Sequence, residues 1–300
     1  MRLIEKSMED PDADDSWELK DPNSQRVVEV VSARDLWQRL LELRMQTGEP
    51  YIVFIDAANR ALPTWLADKN LKIHGSNLCT EIFLPTNEKR TAVCCLSSLN
   101  IEYYDEWAKN EQFIPDVMEF LDNVLQYFID HAPDHIERAR YSALRERSIG
   151  IGALGFHAYL QSKKIPLESV LAKVINNKVF SHIHNECEKG DKILCELRGA
   201  CPDAKDAGIE RRFSHWMAVA PNASSSLIMQ ATSPSIEPMR ANIYRQDTLS
   251  GAHIIKNRML ERVLDEYGLN TEEVWSNIIN HDGSVQHLEA LPQEIRDVFQ

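Results

Sequence analysis

Strand-like segments in this chain cluster in one stretch, and most of what surrounds it repeats at helical spacing. Y-I-V-F-I at residues 51–55 reads as a buried strand. Residues 76–84 and 91–100 read as two more extended segments, joined by the turn-forming P-T-N at 85–87. Around this sheet-rich region lie helices. Ser32 is placed to cap one through Asp35, Leu36, Leu40, Leu41 and Leu43, ending near Gly48. Val117, Phe120, Leu121, Val124, Leu125 and Phe128 mark a second, which Pro133 stops after His131. Further helices are predicted over 154–160, 167–197, 254–267 and 271–279, the last capped by Thr271. Residues 1–25, acidic and containing Pro11 and Pro22, read as a polar linker or loop, with the folded domain over 26–300. Pro292 stands at a natural helix start about two turns before the last residue, so the final helix reads as cut short.

Composition narrows the classes. The hydrophobic share of 43% and charged share of 26% describe a globular protein, not a fibrous or disordered one. Lys and Arg number 33 against 46 Asp and Glu, a net charge of -13. Such a surface repels phosphate backbones and anionic membranes, so any phosphate ligand is expected to be small and locally held. No apolar run reaches membrane-spanning length, and the acidic start is unlike a signal peptide, which points to the cytoplasm. The six cysteines, at 79, 94, 95, 187, 195 and 201, lack C-x-x-C spacing in a chain too long to need disulfide staples.

The chemistry-bearing residues concentrate in the extended stretch. In S-N-L-C-T-E-I, residues 76–82, a period of two sends Asn77, Cys79 and Glu81 to one face of a strand. A carboxylate is costly to bury beside a thiol unless it has work or a partner, although a surface strand with an incidental cysteine is the plainer alternative. Of the adjacent Cys94 and Cys95, alternation lets only one share that face. They cannot readily bond to each other, since neighbouring Cα atoms lie about 3.8 Å apart and disulfides span roughly 4.4–6.8 Å. The segment P-N-A-S-S-S at 221–226 supplies hydroxyls and successive backbone N–H groups that could cradle a phosphate, or simply form a Ser-rich cap. G-I-G-A-L-G at 150–155 matches the dinucleotide-binding pattern literally, but the preceding A-L-R-E-R-S is polar and helix-prone where that fingerprint needs a strand. His182, His184 and Cys187 lack a second pair spaced to close a metal site, and Cys187 fits the apolar stripe of its helix.

Taken in order, N-L-C-T-E, A-V-C-C-L-S-S-L-N, R-S-I-G-I-G-A-L-G, P-N-A-S-S-S and S-I-E-P with N-I-Y-R-Q-D-T-L-S-G resemble the catalytic large (alpha) subunit of ribonucleotide reductases, most like class I. The resemblance runs from about Trp17 to Gln300 and implies an α/β fold, part of a ten-stranded α/β barrel with a central loop carrying a radical cysteine. Residue by residue it implies that Cys79 forms a transient thiyl radical and takes the 3′ hydrogen of the ribose. Glu81 would act as base at the 3′ hydroxyl, and Asn77 would orient the sugar. Cys94 would be one of two thiols that reduce the 2′ carbon and end as a disulfide. Cys95 stands where the motif needs no thiol. Ser76, Asn222, Ser224, Ser225 and Ser226 would contact substrate, with Ala223 contributing backbone alone.

The activity that the resemblance implies is reduction of ribonucleotides, with diphosphates as substrates, to deoxyribonucleotides. The N-terminal nucleotide-binding portion, the second reducing cysteine, the radical-relay tyrosines and the C-terminal recycling cysteines have no match in these residues, so the chain is expected to be inactive alone. No cofactor or metal is expected on this segment. A metal-containing small (beta) subunit would supply the radical, thioredoxin or glutaredoxin would act as external dithiol, and the complete large subunit would be oligomeric. Rival readings are an adenosylcobalamin-dependent (class II) reductase, a non-catalytic assembly module derived from a reductase, and an NAD-dependent dehydrogenase.

Overall fold

The computed structural model describes residues 2–10, 12–248 and 251–300. The chain divides into two compact units, Met1–Phe54 and Ile55–Gln300. The first holds α1 (Arg2–Glu9), an antiparallel hairpin of β1 (Ser16–Lys20) and β2 (Val27–Ser32), and α2 (Ala33–Thr47). Residues 1–25, expected to be a loop, therefore carry a helix and a strand. The polar run around Pro22 is the hairpin turn: the Asp21 carboxylate accepts from the N–H groups of Asn23 and Ser24 at 3.0 and 2.7 Å. Helix α2 begins and ends as its sequence predicts. Ser32 Oγ accepts from the Asp35 N–H at 3.0 Å, and Gly48, at φ +78°, donates to Arg44.

The second unit opens with α3 (Ile55–Ala61) and α4 (Thr64–Ala67), which bury a small cluster of Leu62, Leu66, Leu71 and Ile73. Residues 51–54 before it are irregular, with Tyr51 and Phe54 exposed, so the expected strand is not formed there. An irregular run leads to β3 (Cys95–Asn100), followed by α5 (Tyr104–Trp107), α6 (Phe113–His131) and α7 (Glu137–Glu146). Strand β4 (Ile149–Leu154) then lies parallel to β3, in the register Cys95↔Ile149 through Asn100↔Leu154. After α8 (Phe156–Ser162), α9 (Val170–Arg198) and α10 (Pro202–Asp206), the chain returns to the far edge of β4. There the Ile149 and Ile151 N–H groups donate to the His215 and Trp216 carbonyls at 3.0 and 2.8 Å. Helix α11 (Ala223–Ile228), the hairpin of β5 (Ile243–Thr248) and β6 (Gly251–Lys256), α12 (Arg258–Glu266), α13 (Glu272–Asn280) and α14 (Gln293–Val298) complete the unit. The helix expected from 254 starts only at 258, because Asn257 Oδ1 accepts from the Met259 and Leu260 N–H groups and the residues before it pair in β6.

The parallel pair explains the glycine-rich motif. Ile149, Ile151 and Ala153 on one face of β4 join Leu99, Met118, Ile183 and Phe213 in the main core beneath α6 and α9. Gly150 and Gly152 occupy the opposite face, where a Cβ on Gly150 would lie 2.3 Å from Leu96 and one on Gly152 would lie 2.5 Å from the Ala218 carbonyl. G-I-G-A-L is thus strand, not a turn that opens a helix. Buried ions tie the helices down around it: Asp122 of α6, fully buried, binds Arg147, Arg198 and Arg212 at 2.7, 2.7 and 3.0 Å.

Candidate active site

The N-C-T-E segment folds as a turn rather than a strand, so the face argument for it does not hold. Asn77 decides this. Its side-chain oxygen accepts from the N–H groups of Glu81 and Ile82 at 3.1 and 3.0 Å, which offers the backbone a partner in place of a β-ladder. The Thr80 N–H returns to the Asn77 carbonyl at 3.2 Å, and Thr80 takes a left-handed φ of +64°. Asn77 and Glu81 are brought together by this turn, and Cys79 stands exposed at its tip. Glu81 keeps one carboxylate oxygen, Oε2, buried without a hydrogen-bond partner among the described residues. An acceptor left in that state calls for a donor from outside the chain.

Cys94 and Cys95 divide as alternation requires. Cys95 packs against the main core. Cys94 faces the glycine side: its sulfur lies 3.5 Å from where a Gly150 Cβ would be. It lines a cavity of about 610 Å³ together with Ser76, Asn77, Ile82 and Leu96, a volume in the range that takes a nucleotide-sized ligand. Cys79 and Glu81 stand outside that lining. Burial, reinforced by the negative charge of Cys95, Glu81 and Glu146, pushes the Cys94 thiol up to about 12, so it carries its hydrogen at neutral pH.

The Ser-rich loop sits at the C-terminal end of the same two strands, and its residues do not all face outward. Asn222 Nδ2 donates to Ser98 Oγ, the Ala153 carbonyl and the Ala220 carbonyl at 2.9, 3.1 and 2.8 Å. Its amide nitrogen is therefore committed to the scaffold, which argues against the direct phosphate contact expected of it. Ser226 is buried and its hydroxyl donates back to the Ala223 carbonyl at 3.1 Å. Ser224 and Ser225 remain exposed beside the backbone of Ala223. Sequence reasoning did not single out Ser98, and it weighed Gly150 and Gly152 only as part of a dinucleotide pattern; what fixes their role lies across the ladder, at Leu96, Ser98 and Ala218.

A profile of the ribonucleotide reductase barrel domain matches residues 4–211 and 203–300. The chain belongs to this family. It is 54% identical over 286 residues to the ribonucleoside-diphosphate reductase large subunit of Invertebrate iridescent virus 3, an alignment covering 94% of this chain and 45% of that protein. To the large subunit of Caenorhabditis elegans it is 30% identical over 307 residues, 91% of this chain and 38% of the other. The solved Actinobacillus ureae class Id ribonucleotide reductase alpha subunit is 41% identical, with a TM-score of 0.82 over 89% of this chain and 49% of that one. The chain thus spans about half the length, or less, of the relatives it matches.

As a reductase barrel fragment the chain is α/β, and β3 and β4 are two of its parallel strands. The dehydrogenase reading falls: residues 149–154 are strand, paired along their length with β3, and no phosphate-cradling turn is left among them. Among the described residues no group of three or more His, Cys, Asp or Glu is placed to hold a metal ion. His182, weighed as a ligand, instead lies 3.1 Å from the Tyr104 hydroxyl and stacks on Trp107. No described helix is long and apolar enough to cross a membrane.

Proposed function

We propose that this chain is the catalytic core portion of a class I ribonucleoside-diphosphate reductase large subunit. The observation that carries the reading is one face of β3. Cys94, the residue just before it, borders the cavity shared with Asn77, and Ser98, four residues on, holds the Ser-rich loop. At ~3.3 Å per residue those positions are separated by roughly 13 Å, the scale of a nucleoside diphosphate laid along the strand. The sugar would lie over Cys94 and Glu81, and the phosphates against Ser224, Ser225 and the loop backbone.

Within that arrangement Cys79 takes the 3′ hydrogen atom as a thiyl radical, and Glu81 Oε2, unpartnered in the chain, accepts the 3′ hydroxyl proton. Cys94, held as a thiol, and a second thiol give two electrons and two protons. The 2′ hydroxyl leaves as water and the two sulfurs become a disulfide, which an external dithiol such as thioredoxin reduces; Glu81 gives the proton back to the 3′ oxygen, and Cys79 returns its hydrogen atom to the 3′ carbon and becomes a thiyl radical again. A metal-containing small subunit supplies the radical, and the remaining large-subunit segments cover the exposed Cys79 turn. The complete assembly is oligomeric and works in the cytoplasm. The name of the Actinobacillus ureae relative, a class Id alpha subunit, favours a separate radical-generating subunit over adenosylcobalamin.

The test is reconstitution of the chain with the remaining large-subunit segments, a small subunit and dithiol. Cytidine diphosphate should yield deoxycytidine diphosphate, and Cys79→Ser or Cys94→Ser should abolish turnover, while the chain alone is inactive. Turnover that persists in Cys79→Ser would leave the non-catalytic assembly module as the better account.

A further inference from the structure

Asn222 occupies the N-cap position of α11 but does not cap it: no side-chain hydrogen bond runs from Asn222 to the helix. A cap asparagine ordinarily accepts from the second or third N–H of its helix. Here the carboxamide turns the other way and spreads two N–H bonds over three oxygens, one from the β3 side chain Ser98, one from the end of β4 and one from the loop's own approach. The backbone is arranged for this, with Asn222 at φ +54°, a left-handed conformation that asparagine tolerates and most residues do not. Gly152, opposite Ser98 in the parallel register, provides the clearance: a Cβ there would lie 3.0 Å from Ser98 Oγ and 2.5 Å from the Ala218 carbonyl.

We propose that Ser98 and Asn222 form a positioning clamp, with Gly152 as its clearance, that fixes the Ser-rich loop in register with β3, the strand that Cys94 leads into. Neither clamp residue touches substrate. Ser98 on β3 and Cys94 just before that strand both face the glycine side of β4, so the clamp sets the distance between the loop and the reducing thiol. This rests on the reading of residues 221–226 as the phosphate subsite. It adds that the subsite's place is determined by a serine more than a hundred residues away in sequence.

The experiment uses the chain itself, with Ser98→Ala, Ser98→Thr, Asn222→Gly and the Ser98→Ala/Asn222→Gly double variant. Asn222→Gly keeps the left-handed backbone and removes the bond to Ser98 together with those to the Ala153 and Ala220 carbonyls. The first readout is hydrogen exchange of the Ser226 N–H, which donates to the Asn222 carbonyl at 2.9 Å. The clamp predicts exchange about tenfold faster in Ser98→Ala and in Asn222→Gly, no further gain in the double variant, and protection restored in Ser98→Thr, which keeps the hydroxyl. Exchange in Ser98→Ala equal to that of the unaltered chain, or effects that add in the double variant, would overturn it. The second readout is calorimetric titration with cytidine diphosphate and with cytidine. Ser98→Ala and Asn222→Gly should weaken the diphosphate about tenfold and leave the nucleoside unchanged, whereas Ser98→Thr should bind both as the unaltered chain does. Should the unaltered chain fail to prefer the diphosphate over cytidine, the phosphate-loop reading fails, and the exchange data still decide the clamp.

Discussion

Cys94 and Cys95 are covalent neighbours with opposite surroundings, and β3 separates them: one thiol meets the core, the other a cavity cleared by Gly150. Gly150→Ala would place a methyl 2.3 Å from the end of the Leu96 side chain, which borders the cavity and can turn aside, and 2.9 Å from the Ala218 Cβ, which is fixed to its backbone and cannot. Urea unfolding should show a loss of about 1–3 kcal/mol, the usual cost of overpacking. His157 makes a second residue-scale prediction. It is 4% exposed, and its Nδ1 accepts from the Met239 N–H at 3.0 Å, which only the neutral ring can do. Burial pushes its pKa down to about 4 from an ordinary 6.5. The unfolded chain therefore binds a proton there before the folded one does, and this contribution to stability is complete above pH 6.5 and lost as the pH falls toward 4. His157→Asn, which keeps an acceptor for Met239, should flatten the fall in melting temperature across that window, with a difference of at most about 3 kcal/mol between its ends.

At the scale of elements, helices α6 and α9 are locked to the parallel strands by buried charge as much as by apolar packing. Burial alone would raise the Asp122 pKa, but hydrogen bonds from Arg212 and Arg198 and the charge of Arg147 hold it below the ordinary carboxylate value. Asp122→Asn should cost about 3–5 kcal/mol in urea unfolding, because three guanidinium groups lose the one carboxylate they share. These elements were unequally legible. Helices α2, α6 and α13 announce themselves through apolar spacing, caps and the stop at Pro133, all local signals. Strand β4 does not, since its glycines are chosen for what lies across the ladder. The turn at 77–80 is hidden as well, because a period-two pattern cannot show that Asn77 will bond its own backbone.

For the molecule as a whole, the division after Phe54 sets the expectation. Residues 51–54 are irregular, with Tyr51 52% and Phe54 65% exposed, so a protease that cuts after aromatic residues should cleave there first and leave a resistant fragment beginning at Ile55. Mass spectrometry of a brief chymotrypsin digest checks this; early cuts within 95–228 instead would mean that the parallel-strand core is not the stable part.

Residue types and their order by themselves determined the helices, the ribonucleotide reductase resemblance and the identity of the chemical groups, because caps, apolar periods and ordered motifs are all carried along the chain. Only the tertiary structure decided which way those groups face. Asn222 was legible as a loop polar residue, but its commitment to Ser98 depends on two strands meeting in parallel register with a glycine between them. The same holds for Cys94 against Cys95 and for the orphaned oxygen of Glu81. A side chain's burial and partners are set by segments distant in sequence, and no local period encodes them.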